Sequence, residues 1–175
     1  MNFAVISASL NPRSRSRVLA RRAADQIEKA GESVDWIDLQ EVGPLPLCDG
    51  GAAYNDPKVQ QLDERIANAA GILMAAPIYN YYVNAAAKNV VELTGYSWKG
   101  KVVGFLGAAG GKSSYMSMMD LANSLMLDFR CIIVPRFVYS VKADVDGDSI
   151  VNEEIARRAD ELAAELVRIT KGISD

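Results

Sequence analysis

Apolar residues in this chain come in blocks, and the blocks change period along it. Phe3-Ala4-Val5-Ile6 is continuous, as in a strand buried on both faces, and predicts a strand over residues 3–9. Leu19, Ala23 and Ile27 then recur at helical spacing and predict a helix over 16–30, closed by Gly31 as its C-cap. A second short strand spans 33–39. Residues 41–55, with Gly43, Pro44, Pro46 and Gly50-Gly51, predict a long surface loop, and Asp56-Pro57 pairs an N-cap with proline at the first helical position. Val59, Leu62, Ile66 and Ala69 mark the apolar face that follows.

The alternation continues to the end of the chain. GILMAA (71–76) is a third strand, running into Pro77-Ile78-Tyr79-Asn80, and 84–94 is a helix stopped by Gly95. KVVGFLG (101–107) is a fourth strand, followed by Ala108-Ala109-Gly110-Gly111 and a methionine-rich helix from about 113 to 128. Residues 131–138 supply a fifth strand, and Ile155, Ala159, Leu162, Leu166 and Ile169 a closing amphipathic helix.

Strands that alternate with helices predict an α/β fold with a parallel sheet covered on both faces, because parallel neighbours need crossover connections. Five strands of this kind are expected in the doubly wound order 2-1-3-4-5. No linker, internal repeat or low-complexity segment divides the chain, so 1–175 is read as a single domain. In that order the chain reverses direction between the first and third strands and leaves a crevice at their carboxyl ends. The loops after strands one, three and four should therefore carry the chemistry, and they are the unusual ones: SLNPRSRS, PIYNYYVN and AAGGKSSY.

Composition narrows the function. The 175 residues are 50% hydrophobic, enough for one core, and a net charge of −3 offers no basic footprint for nucleic acid. The start of the chain has no basic leader and no apolar run approaches a membrane span, which predicts a cytoplasmic protein with no membrane partner. Two widely separated cysteines, Cys48 and Cys131, and no histidine leave zinc sites, Ser-His-Asp triads and Cys-His dyads without an essential part. No metal site is expected.

The first loop has a physical reading of its own. Ser14 to Ser16 fall at the amino end of the first helix, where unpaired N–H groups and the helix dipole favour an anion. Serine hydroxyls both cap and donate, and arginine adds a planar cationic fork. A capped helix with solvated arginines has the same sequence; the loop's place at the crevice favours a phosphate. That loop contains no glycine, against the G-x-G-x-x-G of a dinucleotide site. Residues 107–113 are one residue short of a P-loop and follow the fourth strand. Asp144 to Asp148 hints at a calcium loop, but Gly147 comes too early and Ile155 replaces the bidentate glutamate, so a polar turn is expected.

Three segments together resemble the motifs of the flavodoxin-like NAD(P)H-dependent FMN reductases. They are Ser9-Leu10 with Ser14-Arg15-Ser16, Pro77-Ile78-Tyr79-Asn80 with Lys88-Asn89 beyond it, and Ala109-Gly110-Gly111. Asn11, Ile78 and the Tyr81-Tyr82 pair depart from the commonest family pattern. The resemblance implies a flavodoxin-like three-layer α/β/α sandwich that binds FMN. Ser9, Ser14, Arg15 and Ser16 would hold its phosphate, Pro77, Ile78, Tyr79 and Asn80 would line the isoalloxazine edge, and Gly110 and Gly111 would lie at its pyrimidine end.

The activity so implied is hydride transfer from NADPH or NADH to flavin N5, with stacking geometry and electrostatics as the protein's share. No catalytic side chain is needed, which suits a chain without histidine. Arg13, Arg17 and Lys112 are candidate contacts for the nicotinamide cofactor's phosphates, and Cys48 has no neighbour in the sequence to activate it. Electrons would pass to free flavin or to a partner flavin-dependent monooxygenase. One alternative keeps the flavin and makes a quinone, azo dye or metal oxyanion the acceptor; another is a flavodoxin-like electron carrier, for which −3 is a modest charge. The apolar circumference of the methionine-rich helix predicts a homo-oligomer, and the resemblance implies a homodimer or homotetramer.

Overall fold

The computed structural model describes residues 1–174. β1 (Asn2–Ser7) leads to α1 (Arg15–Lys29), and β2 (Ser33–Asp38) to the single-turn α2 (Leu39–Val42). The long loop follows, then α3 (Pro57–Ala67) and β3 (Gly71–Tyr79), on which β4 (Tyr82–Val83) folds back. α4 (Ala85–Thr94) precedes β5 (Val102–Ala108), and α5 (Met119–Phe129) precedes β6 (Ile132–Ile133) and β7 (Val138–Ser140). A hairpin of β8 (Val145–Asp146) and β9 (Ser149–Ile150) comes before α6 (Glu153–Ser174).

Local chemistry sets the helix ends. Ser14 caps α1, its Oγ accepting from Arg17 N, and Asp56 caps α3 by accepting from Lys58 N. At the other end of α1 the cap is Ala30, one residue before the glycine expected there. Gly31 takes the left-handed position at φ 83°, and its N–H donates to Glu28 O while Glu32 N donates to Ile27 O, a Schellman closure. Residues 144–148 run from a 3-10 turn through β8 into the turn at 147–148, with the Asp144 carboxylate accepting from Val141 N and Asn152 Nδ2.

The sheet is parallel in the order β2-β1-β3-β5-β6, with Phe3 opposite both Val34 and Gly71, and Gly71 opposite Val102. This is the doubly wound order, with one correction: the fifth position is not a single strand over 131–138. β6 and β7 both pair with β5, and the register slips by two residues between Val103↔Ile133 and Leu106↔Val138. Pro135 has no N–H to pair and Arg136 is left-handed at φ 62°, so the chain leaves the sheet there and rejoins it. Two further corrections are smaller. β3 runs on to Tyr79, with Pro77 opposite Ala108 where β1 no longer flanks it. The methionine-rich segment begins with a 3-10 turn over Tyr115–Met118 before α5 starts.

Both faces of the sheet are buried, which explains why β1 reads as continuously apolar. Ala4 and Ile6 pack with Ile72, Phe105, Ile66 and Val90 under α3, α4 and α5, whereas Phe3 and Val5 pack with Leu19, Ile27, Leu162 and Leu166 under α1 and α6. The result is a three-layer α/β/α arrangement. Among the described residues no helix is long and apolar enough to cross a membrane.

Gly71 lets α6 close onto the sheet. A Cβ added there would stand 2.9 Å from Phe3 Cε1 and 2.8 Å from Thr170 Oγ1, and both neighbours are fully packed. Gly71→Ala should therefore destabilise the fold by about 1–3 kcal/mol through overpacking. Urea unfolding of the variant checks this, and an unchanged midpoint would contradict the packing described.

Candidate functional site

The order of the sheet places the carboxyl ends of β1, β3 and β5 side by side, and a cavity of about 510 Å³ opens there. Its walls are Ser9, Asn11 and Arg13 to Ser16 from the first loop, Pro77 to Asn80 from the end of β3, and Ala108 to Gly110 after β5. A volume of this size suits a small-molecule ligand. Nine of the ten residues expected at the site converge on this one crevice. Gly111 comes next in the chain but is not part of its wall.

The first loop is folded by its own side chains. Ser9 is buried and its Oγ accepts from Asn11 N at 3.2 Å, while Asn11 Oδ1 accepts from Arg13 N at 2.9 Å. Ser14 Oγ and Ser16 Oγ lie 3.0 Å apart, both largely buried. Arg15, the first residue of α1, is half-buried, and its Nη1 is enclosed without a hydrogen-bond partner. An enclosed guanidinium nitrogen with nothing to donate to costs free energy unless an acceptor arrives. Hydroxyls, a helix amino end and an unsatisfied cation thus meet in one wall, which is the chemistry of an anion site.

β3 supplies a second wall of different character. Ile78 packs into the core, and Tyr79, 54% exposed, stands at the strand end beside the cavity. Asn80 and Tyr81 are both left-handed, with φ of 52° and 63°, and make the two-residue turn that joins β3 to β4. Asn84 fixes the hairpin from below: its N–H donates to Pro77 O at 3.0 Å and its buried Nδ2 to Ala8 O at 2.7 Å, tying β3 to the first loop.

The turn after β5, Ala108 to Gly110, forms the third wall. A Cβ at Gly110 or Gly111 would meet no atom within 4 Å, and neither has a positive φ. Internal packing and backbone conformation therefore do not require glycine here, and the space beside them is open. Tyr139 holds this turn: its hydroxyl donates to Gly111 O at 2.5 Å and lies 2.8 Å from Ser114 Oγ.

Several residues behave differently from their sequence reading. Arg17 is not free for a ligand, because Asp38, Gln40 and three loop carbonyls occupy its guanidinium. Arg13 and Lys112, by contrast, are exposed as candidate ligand contacts must be, and Arg13 lines the crevice. Lys88 and Asn89 lie on α4, where Lys88 pairs with Glu92 at 2.7 Å and Asn89 clamps the long loop through Pro46 O and Cys48 N. Lys88 lines a separate cleft of about 870 Å³ between α3, α4 and α5, which shares no residue with the crevice. Asp38, Asn84 and Tyr139, which organise the three walls, carry no motif of their own and were invisible at the level of spacing.

The thiols stand apart from this chemistry. Cys131 is buried, donates to Trp98 O at 3.1 Å, and burial pushes its pKa up to about 11. Cys48 is half-buried, 3.5 Å from the Tyr54 hydroxyl. Near neutral pH a native alkylation experiment should therefore modify Cys48 and spare Cys131 until the protein is unfolded. Equal labelling of both in the native state would contradict this.

Comparison with known proteins bears on this geometry. The model of the family described as NADPH-dependent FMN reductase matches residues 1–146. An Arabidopsis thaliana protein named NADPH:quinone oxidoreductase is 28% identical, over 97% of this chain and 92% of its own. An FMN reductase (NADPH) of Pseudomonas putida is 26% identical, over 67% of this chain and 58% of its own. In structure, the flavoenzyme NAD(P)H:(acceptor) oxidoreductase FerB from Paracoccus denitrificans superposes with a TM-score of 0.77 at 21% identity, over 98% of this chain and 97% of that one.

Proposed function

The chain belongs to the NADPH-dependent FMN reductase family, and from that premise we propose that it reduces flavin at the expense of NADPH or NADH, with FMN seated in the crevice at the ends of β1, β3 and β5. The observation that carries the assignment is the pairing of an anion-binding wall, with its unsatisfied Arg15 Nη1, with an exposed aromatic and an open glycine turn in the same cavity. A phosphate at one end and a flat ring system at the other match those two characters.

The residues divide the work. Ser9, Ser14 and Ser16 donate hydroxyls to the phosphate, and Arg15 gives it the nitrogen that has no other partner. Pro77 to Asn80 bound the ring edge, and Tyr79 offers its face to a flat ligand. Gly110 and Gly111 leave room for main-chain N–H groups to approach the ring, where they stabilise negative charge. FMN, when bound, supplies the hydride-accepting chemistry. The chain holds donor and ring in register and needs no titrating side chain to do so.

Free flavin is the acceptor this reading favours, in solution or in a partner monooxygenase. A quinone is the second reading, supported by the name of the Arabidopsis relative and by the exposed Tyr79 in the crevice wall. Parallel turnover assays with flavins, quinones and azo dyes separate the two. The same reading makes the whole chain one cytoplasmic, flavin-binding domain.

Self-association is part of the proposal. Met118, Leu121 and Leu125 are buried beneath the sheet, but Tyr115, Met116, Met126 and Leu127 remain exposed on the same segment. An apolar strip of this kind favours a homodimer or homotetramer. Sedimentation at micromolar concentration should give a mass above 18.9 kDa; a single species at 18.9 kDa contradicts the oligomer.

The phosphate wall is tested by Ser14→Ala with Ser16→Ala. Loss of two hydroxyls that donate to a charged group should weaken FMN binding roughly tenfold or more, and loss of the cap should cost about 1 kcal/mol of stability. Titration of flavin fluorescence measures the first and urea unfolding the second. Unchanged FMN affinity in the folded double variant would contradict the phosphate assignment.

A further inference from the structure

Arg17 occupies a place that the flavin reading leaves unexplained. It lies on α1, two residues beyond Arg15, and its side chain is only 17% exposed. Nε and Nη2 grip the two oxygens of Asp38 at 2.5 and 3.1 Å, a bidentate fork on a carboxylate that is itself 2% exposed. Nη2 also donates to Gln40 Oε1 at 2.8 Å. Nη1 reaches back into the first loop, to Asn11 O at 3.1 Å and Pro12 O at 3.2 Å, and Nη2 makes a longer, shared contact with Ser9 O at 3.4 Å.

That arrangement has an electrostatic meaning. A loop that wraps an anion must turn its N–H groups inward and its carbonyl oxygens away, since each carbonyl carries partial negative charge. Here three carbonyls of the loop that bears Ser9, Asn11 and Arg13 are drawn onto one guanidinium outside the cavity wall. Asp38 sits at the carboxyl end of β2, fixed by the pairing of Ser7 with Asp38, and also accepts from Gln40 N at 3.0 Å. The edge strand thereby anchors the loop through a charge pair whose every donor is engaged. Arg17 has nothing left to give a ligand.

We propose that Arg17 and Asp38 are positioning residues for the phosphate loop: held by Asp38, Arg17 pulls the carbonyls of Ser9, Asn11 and Pro12 out of the crevice and so sets its selectivity for a phosphorylated over an unphosphorylated flavin. The proposal rests on the flavin reading above. Selectivity then has two layers, direct donors in Ser14, Arg15 and Ser16 and a pre-arranged backbone behind them.

FMN and riboflavin differ only in the phosphate, so their ratio isolates the loop. The experiment compares binding of both by flavin fluorescence to the wild type, Arg17→Lys and Asp38→Asn. Lysine keeps the charge but cannot fork onto a carboxylate and three carbonyls, and asparagine keeps the shape but not the charge. FMN affinity should fall roughly tenfold or more in each, with riboflavin affinity changed less than about twofold.

A parallel fall for both flavins, the mark of a general structural role, overturns the proposal, as does unchanged FMN affinity. Should either variant fail to fold, Gln40→Ala removes one acceptor from an exposed position; it should show a smaller loss, about two- to threefold, confined to FMN. Equal loss for both flavins, or none for FMN, overturns the proposal there too. A wild type that binds neither flavin is a distinct result: it overturns the flavin reading itself and the loop's role with it.

Discussion

Parallel pairing of β1 with β3 is the constraint from which the rest of this molecule follows. Parallel neighbours cannot be joined by a tight turn, so each needs a crossover, and the crossovers from β1 leave toward β2 on one side while the chain returns to β3 on the other. A gap must open where they part. Into it come the loop before α1, the end of β3 and the turn after β5, three segments far apart in sequence that the sheet makes neighbours. Burial on both faces keeps the strands in register, because Phe3 and Val5 pack under α1 and α6 while Ala4 and Ile6 pack under α3 to α5. A slip of one residue would exchange these sets.

Much of this was legible in the chain, for identifiable reasons. Continuous apolar runs announced doubly covered strands, and the order of strand and helix blocks implied the crevice. Caps such as Ser14 and Asp56 lay where their residue types required. The fifth strand was misread because Pro135 and Arg136 break it while apolar residues continue on both sides. Gly95 was read as a helix stop, and α4 does end at Thr94 with Gly95 as its C-cap; at φ −52° the position needs no left-handed residue, and the glycine is required because the ring of Phe129 occupies the space of its absent Cβ. Composition identifies a glycine but does not say what lies against it.

The site divides in the same way. Residues that line the crevice belong to short local motifs and could be picked out by type and spacing. Those that hold the motifs in place act across long separations: Arg17 on Asp38, Asn84 on Ala8, Tyr139 on Gly111. None of these pairs has a sequence signature, because each depends on which strand lies beside which. The crevice is thus a local chemical vocabulary arranged by non-local contacts.

The proposed function requires that this crevice seat a flavin ready to accept hydride from a nicotinamide cofactor. Anaerobic stopped-flow absorbance of the FMN-loaded protein, mixed with NADPH and separately with NADH, addresses it most directly. Rapid bleaching of the flavin with at least one of the two donors is the expected result. Tight FMN binding without bleaching by either would contradict it and leave an electron carrier in its place.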